Sequence, residues 1–278
     1  MSTGLPLVSI ITPVYNGAQF IEDLILSVKK QDYPNVEHII VDDGSNDDAA
    51  TIEILKKYPH LRWWSHPNQG QYATMNEGLS AVNGDFVCFV SSDDILLSGA
   101  VKSVVSFLLS HPEMDGVFGL TDYMDEQGGA LYPPVLFPKA HFHLVKYFAH
   151  VLHCSFYLKR GCFERYSISF DPSLKYAGDY EWMTRIAKTP LKIGTVDKKL
   201  SAIRLHPAQT SQLYGTEALQ EIEGVYKKHG VNIVLRKFAL LLHFVYYRLW
   251  EMGQKYKQGG IGALVAHVGK FLRRLVHV

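Results

Sequence analysis

Apolar positions follow two alternating periods along the first 125 residues of the chain. Runs rich in Val and Ile predict buried strands, and apolar residues three and four positions apart predict helices. One such helix would bury Ile21, Leu24 and Val28 on a single face. The predicted strands cover 7–15, 36–43, 61–65, 85–94 and 116–124, and the helices between them cover 20–30, 50–58, 71–82 and 99–111. This alternation predicts an α/β fold with a mostly parallel central sheet and helices on both faces.

The alternation ends after Asp125, where the sequence Gln127-Gly128-Gly129 predicts a turn. One further helix is predicted over 178–188, and the pattern from about residue 216 onward is helical. We therefore expect a folded domain over 1–215, made of the halves 1–125 and 126–215. A C-terminal helical extension would follow over 216–278.

The composition is that of a globular protein. Hydrophobic residues make up 47% and charged residues 20% of the 278, which excludes a disordered chain. The three cysteines form no C-x-x-C pair, so neither a zinc ribbon nor a disulfide framework is expected. The chain shows no signal-peptide pattern and no apolar stretch of about 18 residues, and free thiols fit a reducing compartment. These features predict a cytoplasmic protein.

The charge is unevenly distributed. The net charge is only +1, but the chain from Val225 onward carries ten Lys and Arg residues and a single acid, Glu251. A basic, apolar and amphipathic extension has two interpretations. It could pack on the body of the protein or against a second copy in a homodimer, or it could lie on the inner face of the plasma membrane as a peripheral anchor.

Polar residues follow the predicted strands, at the edge of a parallel sheet where ligands bind. Acids gathered at one sheet edge repel each other unless a cation neutralises them. Carboxylate oxygens favour Mg²⁺ or Mn²⁺, and Mg²⁺ commonly completes its shell with phosphate oxygens. The residues concerned are Pro13, Tyr15 and Asn16 after the first strand, Asp42 and Asp43 after the second, and Ser92, Asp93 and Asp94 after the fourth. Their chemistry suggests a diphosphate ligand.

Other phosphate-binding and hydrolytic motifs are absent from the sequence. There is no G-x-x-x-x-G-K-[ST] and no G-x-G-x-x-G after a strand, which argues against the two glycine-rich phosphate loops. The chain also lacks G-x-S-x-G and H-E-x-x-H, which argues against an α/β-hydrolase and a zinc metalloprotease. A cation that bridges carboxylates to a diphosphate is what remains.

Five ordered segments resemble those of a family 2 glycosyltransferase with the Rossmann-like GT-A fold. They read TPVYNGAQFIEDLILSV, VEHIIVDDGSNDD, NQGQYATMNEGLSAVNGDFVCFVSSDD, HCSFYLKRGCFERY with FDPSLKYAGDYEWMTRIAK, and LSAIRLHPAQTS. The resemblance covers residues 7–211. It implies a GT-A catalytic domain over 1–215, with a nucleotide-sugar half followed by an acceptor half.

The resemblance also implies roles for individual residues. Asp179 would be the catalytic base, although Gly178 stands where the family has Glu, and Asp94 and His206 would bind Mn²⁺ or Mg²⁺. Arg204 would approach the diphosphate, and Trp182 and His153 would face the acceptor. The nucleotide would be bound by Pro13, Tyr15, Asn16, Asp42, Asp43, Asn68, Gly70, Asn76, Ser92 and Asp93.

The reaction implied is a single displacement that inverts the anomeric configuration. The donor would be a nucleotide diphosphate sugar, with UDP favoured because Asp43 suits a pyrimidine imide. The acceptor would be a saccharide or a lipid-linked hydroxyl in polysaccharide biosynthesis of the cell envelope, and no nucleic-acid partner is expected.

Several alternatives stay open at this point. Asp42 and Asp43 could form an ordinary turn, and Asp179 could cap its helix. The whole protein could be an inactive nucleotide-sugar-binding scaffold. It could also be a sugar-nucleotide pyrophosphorylase, although 5–23 lacks the Gly-rich loop with Arg and Lys that such an enzyme needs.

Overall fold

The computed structural model describes residues 4–132, 151–209 and 213–238, together with the single residues 142, 145, 241, 245, 252, 256 and 260. The chain divides into two compact units, Met1–Val231 and Asn232–Val278. The first unit therefore continues past the boundary expected at residue 215. Most of the predicted C-terminal extension lies outside the described residues.

Among the described residues, nine strands form one sheet. They are β1 Val8–Val14, β2 Val36–Asp42, β3 Arg62–Ser65, β4 Phe86–Phe89, β5 Ile95–Leu96, β6 Gly116–Met124, β7 Ala130–Tyr132, β8 Phe156–Lys159 and β9 Ile193–Arg204. The order is β3-β2-β1-β4-β8-β6-β9-β5, with β7 paired to β6. Strands β3, β2, β1 and β4 are parallel, as is the β6–β9 pair, whereas β8 runs antiparallel to both of its neighbours.

Seven α-helices accompany the sheet in the described part of the first unit, and His153–Ser155 forms a 3₁₀ helix. The α-helices are α1 Ile21–Lys29, α2 Ala50–Lys56, α3 Gln71–Ser80, α4 Ala100–Ser110, α5 Arg160–Arg165, α6 Gly178–Ile186 and α7 Gly215–Lys228. The ends of the five helices predicted before residue 190 agree to within two residues. Helix α1 buries the predicted face, including Ile21, Leu24 and Val28. The α/β class is therefore confirmed.

The fourth predicted strand is much shorter than its apolar run suggests. Strand β4 ends at Phe89, and a turn follows in which the Asp94 N–H donates to the Ser91 carbonyl at 3.1 Å. Ile95 and Leu96 then leave the parallel part of the sheet and pair with β9. This turn gives the acids after β4 their own backbone geometry instead of continuing the strand.

Apolar packing covers both faces of the sheet. The neighbours Ile10 and Ile11 on β1 are both fully buried, yet they belong to two separate clusters, as expected from the two-residue period of a strand. One cluster includes residues of α1 and α4, and the other includes residues of α3 and α6. The sheet edge between these two layers is therefore free to carry polar residues.

Trp182 lies in the second cluster and not at an acceptor pocket. Its side chain is 1% exposed, and its ring stacks on Phe170 at 4.8 Å and meets Phe89 and Phe156 edge-on at 5.6 Å each. Trp182 follows Asp179 by three residues on α6, so it lies one helical turn deeper. Trp182 therefore packs in the core and does not face an acceptor as expected, because aromatic rings enclose its indole ring.

We expect Trp182→Ala to lower the free energy of unfolding by roughly 3–5 kcal/mol, the usual cost of deleting a buried aromatic side chain. Trp182→Phe should cost less, because it keeps part of the ring stacking. Urea denaturation followed by circular dichroism measures both values. A Trp182→Ala protein of unchanged stability but weakened acceptor binding would restore the pocket role and contradict this assignment.

Candidate active site

A cavity of about 680 Å³ opens at the carboxyl ends of β1, β2 and β4 and continues to the start of α6. Twelve of the sixteen residues predicted from the sequence line it. They are Pro13, Tyr15, Asn16, Asp43, Asn68, Gly70, Ser92, Asp93, Asp94, His153, Asp179 and His206. The other four, Asp42, Asn76, Arg204 and Trp182, are not among the lining residues. The structure thus brings together acids that are more than 130 positions apart in the sequence.

The Asp43 carboxylate holds the loop that precedes α3. Its Oδ1 accepts a hydrogen bond from the Gln69 N–H at 2.8 Å, and its Oδ2 accepts one from the Gly70 N–H at 3.0 Å. Gly70 has a φ of +94°, a conformation that favours glycine. Asp43 is 3% exposed, so only a small part of it reaches the cavity. The two hydrogen bonds fix the orientation of its carboxylate.

Asp42 has a different role from its neighbour. Its carboxylate accepts hydrogen bonds from the Ser45 N–H and from the hydroxyl groups of Ser45 and Ser65. These contacts build the turn after β2 and tie it to the end of β3. Asp42 therefore forms the ordinary turn that was one of the two alternatives for it. It does not line the cavity, so the nucleotide contact expected for it is not available.

The turns after β1 and β2 are joined through paired amides. The Asn16 Nδ2 donates to Asn46 Oδ1 at 2.8 Å, and the Asn46 N–H donates to Asn16 Oδ1 at 2.8 Å. Asn16 adopts a positive φ of 50°, which Asn tolerates better than most residues. Tyr15, beside it, is 47% exposed and lines the cavity.

Two carboxylates stand side by side in the turn after β4. Asp94 is 3% exposed, and its Oδ1 accepts a hydrogen bond from the Arg204 N–H at 3.1 Å. Burial and then the neighbouring charge of Asp93 raise the pKa of Asp94 well above its usual range. The His206 Nε2 lies 3.1 Å from Asp93 Oδ2, so His206 pairs with Asp93 and not with Asp94.

Arg204 supports this turn from behind. It is 2% exposed, and its guanidinium donates to the carbonyls of Asp93 and Glu126 and to the carboxylate of Asp23 at 2.7–3.0 Å. The same group lies 4.7 Å above the Phe20 ring. Because these contacts turn the guanidinium away from the cavity, the diphosphate contact expected for Arg204 is replaced by a supporting role.

Asn76 also turns away from the cavity. Its amide donates to the Phe170 carbonyl at 2.9 Å and accepts from the Phe170 N–H at 2.8 Å, as a neighbouring strand would. It therefore fixes the segment that leads toward α6. The predicted nucleotide contact is not available to it, since both ends of the amide are engaged.

Asp179 lies at the second position of α6, with a side chain that is 37% exposed. The N-cap residue is Ala177, but the Asp179 Oδ1 accepts a hydrogen bond from the Tyr180 N–H in the first turn at 2.7 Å, so part of the carboxylate serves its own helix. The His153 Nδ1 lies 3.6 Å from Asp179 Oδ2, and the His153 Nε2 lies 3.1 Å from the Ser91 hydroxyl. A carboxylate and an imidazole thus lie next to each other on the wall of the cavity.

The cavity is also lined by residues that were not predicted as site residues, among them Tyr72, Lys175, Tyr176 and Ala218. Tyr72 follows Gly70 by two residues, and Lys175 and Tyr176 precede Asp179 by four and three, so proximity to predicted residues could have suggested them. Ala218 belongs to α7, and nothing in its local sequence marks it.

The donor set after β4 fits a divalent cation only in part. Among the residues that the structure describes, no group of three His, Cys, Asp or Glu side chains is arranged to hold a metal ion. Asp93 and Asp94 do supply two adjacent hard oxygen donors, and one or two carboxylates are what Mg²⁺ commonly takes from a protein. The pKa of Asp94, raised by burial and by Asp93, is the response expected of a carboxylate pair that lacks a neutralising charge.

Comparisons with solved structures identify a similar fold. Residues 1–349 of Staphylococcus aureus TarS, crystallised in complex with UDP-GlcNAc, superimpose with a TM-score of 0.66 at 22% identity. The alignment covers 86% of this chain and 71% of the TarS chain. This likeness is one of fold, and it agrees with the GT-A architecture that the sequence resemblance implies.

Sequence comparisons identify relatives in bacteria. An uncharacterised glycosyltransferase of Rickettsia felis is 29% identical over 216 residues, which are 74% of this chain and 35% of that protein. A Campylobacter jejuni protein named GalNAc(5)-diNAcBac-PP-undecaprenol beta-1,3-glucosyltransferase is 33% identical over 105 residues, 36% of this chain and 34% of its own length. The chain thus spans about a third of each of these relatives. The sequence profile of glycosyl transferase family 2 matches residues 9–166, more than half of the chain, and the chain belongs to that family.

Proposed function

We propose that this chain transfers a sugar from a nucleoside diphosphate sugar, with UDP as the favoured nucleotide, to a hydroxyl group of a saccharide or lipid-linked acceptor. The observation that carries the proposal is the single cavity lined by Asp43, the Asp93–Asp94 pair and Asp179. Its volume of about 680 Å³ is in the range of sites that bind small molecules and cofactors. A cavity with acids at both ends suits a ligand with a base at one end and a reacting sugar at the other.

The nucleotide would lie against the ends of β1 and β2. The Asp43 carboxylate is held by two backbone N–H groups, and its remaining lone pairs can accept a hydrogen bond from a pyrimidine imide. The exposed ring of Tyr15 offers an apolar face on the same side of the cavity. The TarS complex with UDP-GlcNAc, which shares the fold, supports a UDP-sugar as the donor.

The turn after β4 would hold Mn²⁺ or Mg²⁺ through Asp94 and Asp93. A divalent cation bound there would stabilise the negative charge that develops on the departing diphosphate. His206 keeps the Asp93 carboxylate in place, and the Arg204 N–H and guanidinium keep the turn in place. Ser92 lines the cavity beside these acids.

Asp179 would accept the proton of the acceptor hydroxyl as that hydroxyl attacks the anomeric carbon. The attack occurs on the face opposite the departing diphosphate, so the anomeric configuration inverts. His153 lies between Ser91 and the Asp179 carboxylate, so it can orient the base and contact the acceptor. The position of Asp179 at the start of α6 leaves its carboxylate exposed toward the cavity.

The products of the reaction distinguish sugar transfer from the two alternatives, an inactive scaffold and a pyrophosphorylase. A scaffold protein would bind a UDP-sugar without turning it over, whereas a pyrophosphorylase would join a sugar 1-phosphate to a nucleoside triphosphate, which releases pyrophosphate and forms the sugar nucleotide. Incubation with a panel of UDP-sugars and Mn²⁺, followed by chromatography, detects free UDP. The separate arrangement of Asp43, Asp94 and Asp179 around one cavity favours transfer, because simple binding has no need of a third acid at the far end.

Asp179→Asn should lower turnover by at least about 10²-fold, because the amide cannot take the acceptor proton. UDP binding should stay within about twofold of the original value, since Asp179 lies at the far end of the cavity. UDP release and isothermal titration with UDP measure the two quantities. The exposed Asp197 on β9 offers a control, as Asp197→Asn removes the same charge without touching the cavity. Full turnover by Asp179→Asn would remove it from the role of base.

Asp43→Asn should weaken UDP binding by roughly tenfold or more, the size expected when a hydrogen bond to a charged group is lost. The preference for UDP over CDP should fall as well, because the amide can donate where the carboxylate only accepts. Titration of both nucleotides measures these changes. Asp42→Asn is the matched control: it should destabilise the turn and leave the UDP-to-CDP ratio unchanged. An unaltered ratio in Asp43→Asn would exclude base recognition by this carboxylate.

The C-terminal extension would bring the enzyme to a membrane surface. Its ten Lys and Arg residues suit anionic lipids, and the Campylobacter relative is named for a lipid-linked substrate. Ile233, Val234 and Phe238 are exposed apolar residues in the described part of the extension. Among the described residues, no helix has the length and apolar character needed to cross a bilayer. Packing on the body of the protein or a homodimer contact is the competing role.

Flotation with vesicles tests the membrane proposal. The full chain should float with vesicles of 30% anionic lipid at about 50 mM salt and lose most of this binding at about 500 mM salt, because added salt screens the attraction. A chain that ends at residue 232 should stay at the bottom of the gradient. Equal recovery of both proteins in the floating fraction would reject the anchor, and sedimentation velocity of both would reveal a homodimer contact.

A further inference from the structure

Three consecutive backbone N–H groups just before the proposed base converge on one carboxylate from a distant helix. The N–H groups of Lys175, Tyr176 and Ala177 donate to the two Glu221 carboxylate oxygens at 2.9, 2.8 and 2.9 Å. Glu221 belongs to α7, 42 positions after Asp179. We propose that Glu221 is a positioning residue that fixes this segment and thereby sets the place of the Asp179 carboxylate, an inference that rests on the proposed role of Asp179 as the base.

Tyr72 interacts with the backbone N–H groups of Gly178 and Asp179, and Glu221 holds the three N–H groups that precede them. Gly178, which joins this segment to Asp179, has no side chain, and a Cβ there would lie 2.5 Å from the Tyr72 ring. Hydrogen bonds to a carboxylate are stronger than those between neutral groups. Three of them fix three successive peptide units, so the direction in which the chain enters α6 follows from the position of Glu221.

We call the three hydrogen bonds to Glu221 the clamp. The C-terminal end of α7 packs against α6, which keeps the helix that carries Glu221 in place. The Tyr226 ring meets the Tyr180 ring edge-on at 5.7 Å. The buried Glu181 carboxylate lies 2.9 Å from the His229 Nε2 and 3.3 Å from the Lys228 Nζ. Lys228 also donates to Asp171, and this hydrogen bond lowers the pKa of Asp171. These contacts hold α7 against α6 over two helical turns beyond Glu221.

The clamped segment is also part of the cavity wall. Lys175 and Tyr176 line the cavity, as does Ala218 of α7 itself. The Tyr176 ring stacks on Tyr214, which directly precedes α7, with 5.2 Å between ring centroids. Movement of the segment would therefore displace the wall next to Asp179, while the Asp43 end of the cavity would be unaffected. Because the Asp179 and Asp43 ends of the cavity are apart, loss of the Glu221 hydrogen bonds should lower kcat and leave donor binding unchanged.

Amide hydrogen exchange of the full-length protein tests the clamp directly. In Glu221→Gln one carboxylate oxygen becomes an NH₂ group that cannot accept, so the amides of Lys175, Tyr176 and Ala177 should exchange about tenfold faster or more. Glu223→Gln removes the same charge from an exposed position on the same helix, and it should leave these rates unchanged. Unchanged exchange in Glu221→Gln, or equal acceleration in both variants, would overturn the proposal.

Kinetics separate positioning from a merely structural role. With the UDP-sugar that the original chain hydrolyses fastest in the presence of Mn²⁺, Glu221→Gln should lower kcat roughly 10- to 100-fold, the range reported for small misplacements of catalytic groups. KM for the donor and Kd for UDP should stay within about twofold. Glu221→Ala should lower kcat at least as much, and Glu221→Gln carries the test if the alanine protein does not fold. Faster exchange without any loss of kcat would show a structural clamp only.

The same measurements on Asp179→Asn distinguish the two proposals. If Asp179→Asn keeps full turnover, the base assignment fails, whereas the exchange rates in Glu221→Gln still decide whether the clamp exists. If Asp179→Asn is inactive and Glu221→Gln keeps full kcat, the base assignment stands and the positioning role of Glu221 is wrong.

Discussion

The parallel pairing of β1 with both β2 and β4 is the constraint on which the site depends. Val14 pairs with Asp42 on one side of β1, and Ile11 pairs with Phe89 on the other. A slip of one residue would exchange the side chains that face the two apolar clusters, so both buried faces enforce this register. The three strands therefore end at the same edge, and the turns that follow them meet around one cavity.

Acids gathered at one edge must each be held against mutual repulsion, and the structure does this with donors from elsewhere in the chain. Two backbone N–H groups hold Asp43, His206 pairs with Asp93, and the Arg204 N–H reaches Asp94. The donors come from a loop before α3 and from the end of β9. The edge of the sheet is thus preorganised by segments that are remote in sequence, and burial together with the Asp93 charge still raises the pKa of Asp94.

Much of this arrangement could be predicted because it follows from local patterns. Alternating periods locate the strands and helices, and the rule that ligands bind at strand ends selects Asp43 and Asp94. What could not be predicted depends on side-chain direction and on distant partners. Trp182 and Asn76 occupy helical positions whose facing is set by packing. Asp42 ends β2 and bonds Ser45 and Ser65, whereas Asp43 follows the strand and holds the loop before α3. Arg204 lies in a strand of 12 residues whose exposed polar middle, around Lys198, hides the apolar pattern.

The Tyr72 ring lies so close to Gly178 that the residue type at each position limits the residue type at the other. Tyr72 is 4% exposed and stacks on Phe170 at 5.7 Å, so its ring has little room to yield to a side chain at 178. A glutamate at 178, which the family resemblance implies at this place, would need a smaller residue at 72. Relatives that differ at one of these positions should therefore differ at the other, a covariation that an alignment of this branch of the family would display.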